Sequence, residues 1–281
     1  MSFIGGSFRY FSRLIIRYNK LSKAEKELPI PWTVLVSVCL VIMLFVSGCA
    51  PEDNCHSIQN NGPVTRILFI GNSYTFVNDL PGMFTKLACS GGHQVETGMA
   101  AEGGWTLAQH ASSSPTLDKI HFQKWDFIVL QEQSEIPAIQ DSRIQSMYPA
   151  VRQLVHTIRA SGAQPLLFLT WGHKDGDAEF GLANYYDMQA QLSAGYLGIA
   201  QELNVPVVPV GTAWLKGVTQ ANPLNLWQTD GSHPTEQGTY LAACVFYAAI
   251  FHQTPVGLGY LAGVDQTTAQ TLQTLAAETS P

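Results

Sequence analysis

Beyond residue 65, four short apolar runs stand out from a mixed background, at 67–70, 127–130, 166–170 and 205–210. They are rich in Ile, Val, Leu and Phe and do not alternate with polar residues. That is the pattern of parallel strands covered on both faces. A weaker run at 93–97 predicts another strand. Between the runs, helical spacing predicts helices over 81–90, 142–161, 184–203 and 236–252. In the second of these, Met147, Val151, Leu154, Val155 and Ile158 recur at three- and four-residue steps, and Gly162 follows as a helix stop. Residues 257–263 read as a loop and 265–278 as a peripheral helix. Alternating strands and helices predict an α/β domain with an open parallel sheet and right-handed crossovers. Ligand sites in such sheets gather at the carboxyl ends of the strands. The residues just after 67–70 and 127–130 are therefore where chemistry is expected.

The amino-terminal end follows different rules. Arg9, Arg13, Arg17, Lys20, Lys23 and Lys26 precede an apolar stretch from Trp32 to Val46, which closes on Val46-Ser47-Gly48-Cys49. A basic region, an apolar core and small residues before a cut site are the layout of an export signal. The core is short for a spanning helix, which needs about 20 residues. Cysteine after Ser-Gly resembles the bacterial lipoprotein signal, in which the Cys49 thiol is acylated and becomes the new amino terminus. Several acyl chains hold a protein stably on a bilayer. The alternative is an uncleaved anchor helix with Cys49 as a small buried residue. Residues 50–64, with Pro51, Asn54, Gln59, Asn60, Asn61, Gly62 and Pro63, read as a flexible tether. The expected organisation is a signal or anchor over 1–49, the tether, and one domain over 65–281.

Removing the lead-in changes the charge. It holds 6 of the 15 Lys+Arg and 2 of the 21 Asp+Glu, leaving 9 against 19, a formal −10, for the remainder. Such a surface excludes nucleic acid as a partner, because that affinity comes from Lys and Arg on phosphates. Of Cys55, Cys89 and Cys244, two could pair in an oxidising compartment, and Cys55–Cys89 is the candidate. Cys244 falls in a helix expected to be buried. No CxxC spacing suggests zinc.

The chemistry lies at two points. Gly71-Asn72-Ser73 directly follows Arg66-Ile67-Leu68-Phe69-Ile70, and Asp230-Gly231-Ser232-His233-Pro234 lies far downstream. A serine hydroxyl is a poor nucleophile unless a base takes its proton, and a histidine oriented by a carboxylate can do so. Each segment alone has a plainer reading. Asn and Ser cap helices, and Asp-Gly makes turns. Together, in order and separated by glycines and a polar strand end, they point to acyl-ester hydrolysis.

These residues resemble the SGNH, or GDSL-type, hydrolase family over about 65–255. Ile70-Gly71-Asn72-Ser73 matches its first block, Ala101-Glu102-Gly103-Gly104-Trp105-Thr106 its second, and Asp230-Gly231-Ser232-His233-Pro234 its last. The resemblance implies a flavodoxin-like three-layer α/β/α fold and a triad of Ser73, His233 and Asp230. It also implies an oxyanion hole that uses the Gly104 N–H. The third block departs from the family. Where Gly-x-Asn-Asp is usual, this chain has Leu130-Gln131-Glu132-Gln133-Ser134. Gln133 falls where the Asn would be, whereas sialate O-acetylesterase-like members favour Gln131. Either amide could donate the same N–H on a longer arm.

Trp105, Trp171 and Trp227 fall beside these motifs and are candidates for a substrate pocket, with packing as the alternative. His173-Lys174-Asp175-Gly176-Asp177 lacks the spaced oxygen ligands of a calcium loop and reads as solvated rim. His110, His121 and His156 have no partner at metal spacing, so neither a metal nor another cofactor is expected. An exported, membrane-tethered esterase would meet glycans and lipids, and O-acetyl removal from a glycan is the first expectation. A glycan-binding protein that kept the fold without turnover, or an acyltransferase using the same serine, are the alternatives.

Overall fold

A computed structural model describes residues 62–279. Cys49, the basic lead-in, the apolar stretch and nearly all of the 50–64 tether lie outside the described residues. Among the described residues no helix is long and apolar enough to cross a membrane. Cys89 is disulfide-bonded and Cys244 is free, so the Cys55–Cys89 pairing turns on a residue outside the described range.

Five strands form one sheet: β1 Val64–Gly71, β2 Gln94–Ala101, β3 Phe127–Leu130, β4 Gln164–Phe168 and β5 Val207–Val208. Their order is β2-β1-β3-β4-β5, and every pairing is parallel. The helices are α1 Ser73–Phe76, α2 Leu80–Ser90, α3 Leu107–Ser112, α4 Ser114–Phe122, α5 Tyr148–Ala160, α6 Tyr185–Leu203, α7 Val210–Val218, α8 Glu236–Phe251 and α9 Gln266–Ala277. A helical turn at Gln140–Ser142 and a π-helical turn at Arg143–Met147 lead into α5.

The strand residues divide between two cores. Ile67, Phe69, Val129 and Phe168 pack with residues of α2, α7, α8 and α9. Leu68, Ile70, Ile128, Leu130 and Leu167 pack with residues of α3, α5 and α6. Successive side chains point to opposite faces, so a strand between two helical layers must be apolar at every position. This is why the runs do not alternate, and it gives the expected three layers.

Several boundaries differ from expectation. The strand expected over 205–210 keeps only two residues. Pro206 and Pro209 offer no N–H to a ladder, and Val210 already opens α7. α3 and α4 were not anticipated. They are short and start on side-chain caps, Thr106 in a capping box with Gln109, and Ser113. The carboxyl-terminal helix is not peripheral. Ala269, Leu272, Leu275 and Ala276 of α9 are buried in the core shared with α8.

The register aligns the carboxyl ends. Gly71 pairs with Ala101, and Ile70 with Leu130. The chain runs from β1 to β2 on one side and then crosses to β3 on the other, so the sheet's switch point lies between β1 and β3. The loops at 72–74, 102–106 and 131–134 thus emerge side by side.

Candidate active site

The turn after β1 is built around one buried amide. Gln131 Oε1 accepts from the Asn72 N–H at 2.9 Å and from Thr75 Oγ1 at 3.0 Å. A Cβ on Gly71 would lie 2.3 Å from that oxygen, so only glycine admits the approach. Asn72 caps α1 by accepting from the Tyr74 N–H at 3.1 Å. Its side-chain nitrogen donates to the Trp105 carbonyl at 2.9 Å. His110, buried, also meets this corner, its Nε2 lying 2.8 Å from the Gly71 carbonyl. Burial lowers its imidazole pKa, the bond to Gly71 opposing. A neutral ring donating from Nε2 leaves Nδ1 to accept from Thr116 Oγ1 at 2.9 Å.

This corner presents Ser73 to a histidine from the far end of the chain. His233 Nε2 lies 2.9 Å from Ser73 Oγ, and His233 Nδ1 lies 2.6 Å from Asp230 Oδ2. The other carboxylate oxygen accepts from the N–H groups of Ser232 at 2.9 Å and His233 at 3.0 Å. Partial burial pushes the Asp230 carboxyl up. The N–H of Ser232 and the side chain and N–H of His233 outweigh it and hold the group below its ordinary range. An ionised Asp230 keeps the Nδ1 proton in place, so Nε2 offers its lone pair to the serine hydroxyl. The structure therefore brings together all three residues singled out for this role.

The surrounding aromatics support the loop rather than line a pocket. Trp171 is fully buried, stacked between Tyr74 at 4.6 Å and Trp214 at 4.0 Å. Its indole N–H donates to the Ser232 carbonyl at 3.0 Å. Trp227 is nearly buried and donates to the Gly172 carbonyl at 3.0 Å. Both correct the pocket expectation, because a ring without exposed surface has no face for a ligand. Trp105 is half-buried, its ring 5.1 Å from that of His110. Tyr74 was missed in the sequence although it adjoins Ser73. Its hydroxyl lies 2.7 Å from Ser232 Oγ and its ring meets His233 edge-on at 5.8 Å.

The second loop is fastened to the first. Glu102 N–H donates to the Gly71 carbonyl at 3.3 Å, and Trp105 N–H to the Glu102 carbonyl at 3.2 Å. Gly104 between them is exposed with φ +71, a conformation that favours glycine. Neither its N–H nor that of Ser73 has a protein acceptor among the described residues.

The two glutamines differ sharply. Gln131 is fully buried, and its nitrogen donates to Asn72 Oδ1 at 2.9 Å and to the Glu132 carbonyl. Both amide hydrogens are spent, which corrects the expectation that it could serve an oxyanion. Gln133 is half-buried. Its oxygen accepts from the N–H groups of Glu135 at 2.8 Å and Ile136 at 3.2 Å. Its nitrogen has only long contacts, 3.4 Å to Ser134 Oγ and 3.5 Å to Glu135 Oε2. That nitrogen is held less firmly than the Gln131 amide.

Glu135, His173 and Asp177 bring ligand atoms within 4.8 Å of one another, from loops the sequence reading did not connect. His173 Nε2 is also 3.1 Å from Ser134 Oγ.

No family model and no curated protein matches the sequence. Solved structures do match. A protein from Slackia heliotrinireducens described as an SGNH hydrolase is 28% identical with a TM-score of 0.57, over 67% of this chain and all of that one. A DUF4886 family protein from Bacteroides uniformis is 21% identical with a TM-score of 0.68, over 77% of this chain and 94% of that one. An acetyl-xylooligosaccharide esterase from Geobacillus shares the fold at 16% identity and a TM-score of 0.51, over 65% of this chain and 92% of that one. The parallel sheet with its flanking helices matches these structures, and the chain is similar to the SGNH, or GDSL-type, hydrolases.

Proposed function

We propose that the protein is a serine esterase that removes short acyl groups, acetyl foremost, from carbohydrate. The unbroken hydrogen-bond chain Asp230–His233–Ser73 carries this reading. Ser73 Oγ attacks the ester carbonyl while its proton passes to His233 Nε2. Asp230 holds the ring and stabilises the imidazolium. The N–H groups of Ser73 and Gly104 and the Gln133 amide receive the oxyanion, each donor contributing about 3–4 kcal/mol in comparable sites. His233 returns the proton to the departing alcohol. Water then attacks the acyl-Ser73 ester, His233 takes its proton, and collapse releases the acid and free serine.

The substrate class rests on lighter support. The Geobacillus protein that shares this fold is an acetyl-xylooligosaccharide esterase. The acidic surface suits a neutral glycan better than an anionic one. We place the protein on the extracytoplasmic side of a membrane, held through Cys49, because the basic lead-in, apolar core and Ser-Gly-Cys triplet form an export layout.

The test is hydrolysis of acetyl, butyryl and longer aryl esters and of acetylated oligosaccharides by wild type and Ser73→Ala. Release of acetate that vanishes in Ser73→Ala is the expected result. Acyl transfer to an added sugar in place of release would make the protein a transferase. Glycan binding without turnover by the folded wild type would refute the enzyme.

A further inference from the structure

Glu132 lies between the two glutamines and has no part in the triad. It is fully buried. One carboxylate oxygen, Oε1, accepts two backbone N–H groups: Leu107 at 3.0 Å and Gln133 at 2.7 Å. The other, Oε2, is buried without a partner. Its own N–H donates to the hydroxyl of Tyr196, a fully buried residue of α6, at 3.0 Å. A buried carboxyl with an unpartnered oxygen is costly, and its retention calls for an explanation.

The two N–H groups it joins supply one. Leu107 is the first residue of α3, directly after the turn that carries Gly104. Gln133 is the third residue of the loop after β3. Gln131 fastens that same strand end to Asn72. One strand end thus holds the serine turn through residue 131 and both other donor-bearing loops through residue 132. We propose that Glu132 is a positioning residue for the oxyanion hole, its Oε1 fixing the Gly104 turn relative to the Gln133 amide. The assignment rests on the esterase reading above.

Transition-state donors must be placed before charge develops, and small displacements of such groups are expensive. Glu132→Leu keeps the volume but leaves both N–H groups without an acceptor. Glu132→Asp keeps the carboxylate but withdraws it by one methylene. Glu132→Gln keeps an acceptor in place. With a short aryl ester, Leu and Asp variants are expected to lose kcat about tenfold or more while KM stays within about threefold. Glu132→Gln is expected to restore most of that loss. If Glu132→Leu does not fold, Glu132→Asp carries the comparison.

A folded Leu or Asp variant with wild-type kcat overturns the proposal. So does a parallel loss of kcat and substrate binding, or a Gln variant as poor as the Leu variant. Fluorophosphonate labelling of wild type separates the two levels. Absence of labelling dependent on Ser73 removes the esterase reading and this one with it. Normal labelling beside unaffected Glu132 variants removes this one alone.

Discussion

Asn72 and Gln131 hold one another in both directions: the Asn72 N–H donates to Gln131 Oε1 at 2.9 Å, and Gln131 Nε2 donates to Asn72 Oδ1 at 2.9 Å. The nucleophile's turn is therefore fixed by a side chain from the neighbouring strand. Gln131→Leu leaves the buried Asn72 N–H and Thr75 hydroxyl without their acceptor, at about 1–3 kcal/mol for each group. The expected result in urea is a lower midpoint, with kcat falling more than stability alone explains at temperatures where the variant is folded. An unchanged midpoint would show that water or a rearranged Asn72 takes the amide's place.

Asp230→Asn preserves size but presents an amide to His233 Nδ1. The ring is then free to carry its proton on Nε2, facing Ser73 with a hydrogen instead of a lone pair. A fall in kcat of at least about a hundredfold is expected, with little change in KM. Stopped-assay kinetics on an aryl acetate reads this. A loss of only a few-fold would mean that the carboxylate does not set the tautomer.

Burial pushes the Glu132 carboxyl up to about 7 from its ordinary 4.5, while bonds from Gln133 and Leu107 pull it partly back. The folded chain therefore keeps a proton that the unfolded chain releases across that window. The associated stability is fully present below about 4.5 and is lost as pH rises through about 7, by up to about 3 kcal/mol. Melting temperature should drop between pH 5 and pH 8.5 more in wild type than in Glu132→Gln. Equal drops would place the titration elsewhere.

Trp171→Phe keeps an aromatic ring between Tyr74 and Trp214 but loses the N–H donated to the Ser232 carbonyl. The smaller ring also leaves a void. A stability loss of roughly 1–3 kcal/mol is expected. Because the lost bond anchors the segment carrying His233, kcat should fall as well. Wild-type turnover in this variant would assign Trp171 to packing alone.

The layered fold was legible because uninterrupted apolar runs arise only where both faces of a strand are covered. The ends of α2, α6 and α8 were legible because their caps and apolar spacing are local. β5 was overread, since a run of valines outweighed two prolines that deny it a ladder. In the site, Ser73, Asp230 and His233 sit in short segments whose turn chemistry is written in neighbouring residues. Gln131 and Gln133 could not be separated from sequence. Both are polar residues at one strand end, and only the approach of Asn72 from β1 decides which amide is consumed. Trp171 and Trp227 were misplaced for a similar reason. Their burial depends on α7 and on the return of residues 226–234, contacts made across long stretches of chain.

Parallel strands give the domain a polarity. The chain enters β1 at Val64, and Ser73 follows the last residue of that strand, Gly71. At about 3.3 Å per residue, the entry point and the nucleophile are separated by roughly 25 Å, close to the full height of the sheet. The chain therefore enters the sheet at the end opposite the one that carries Ser73.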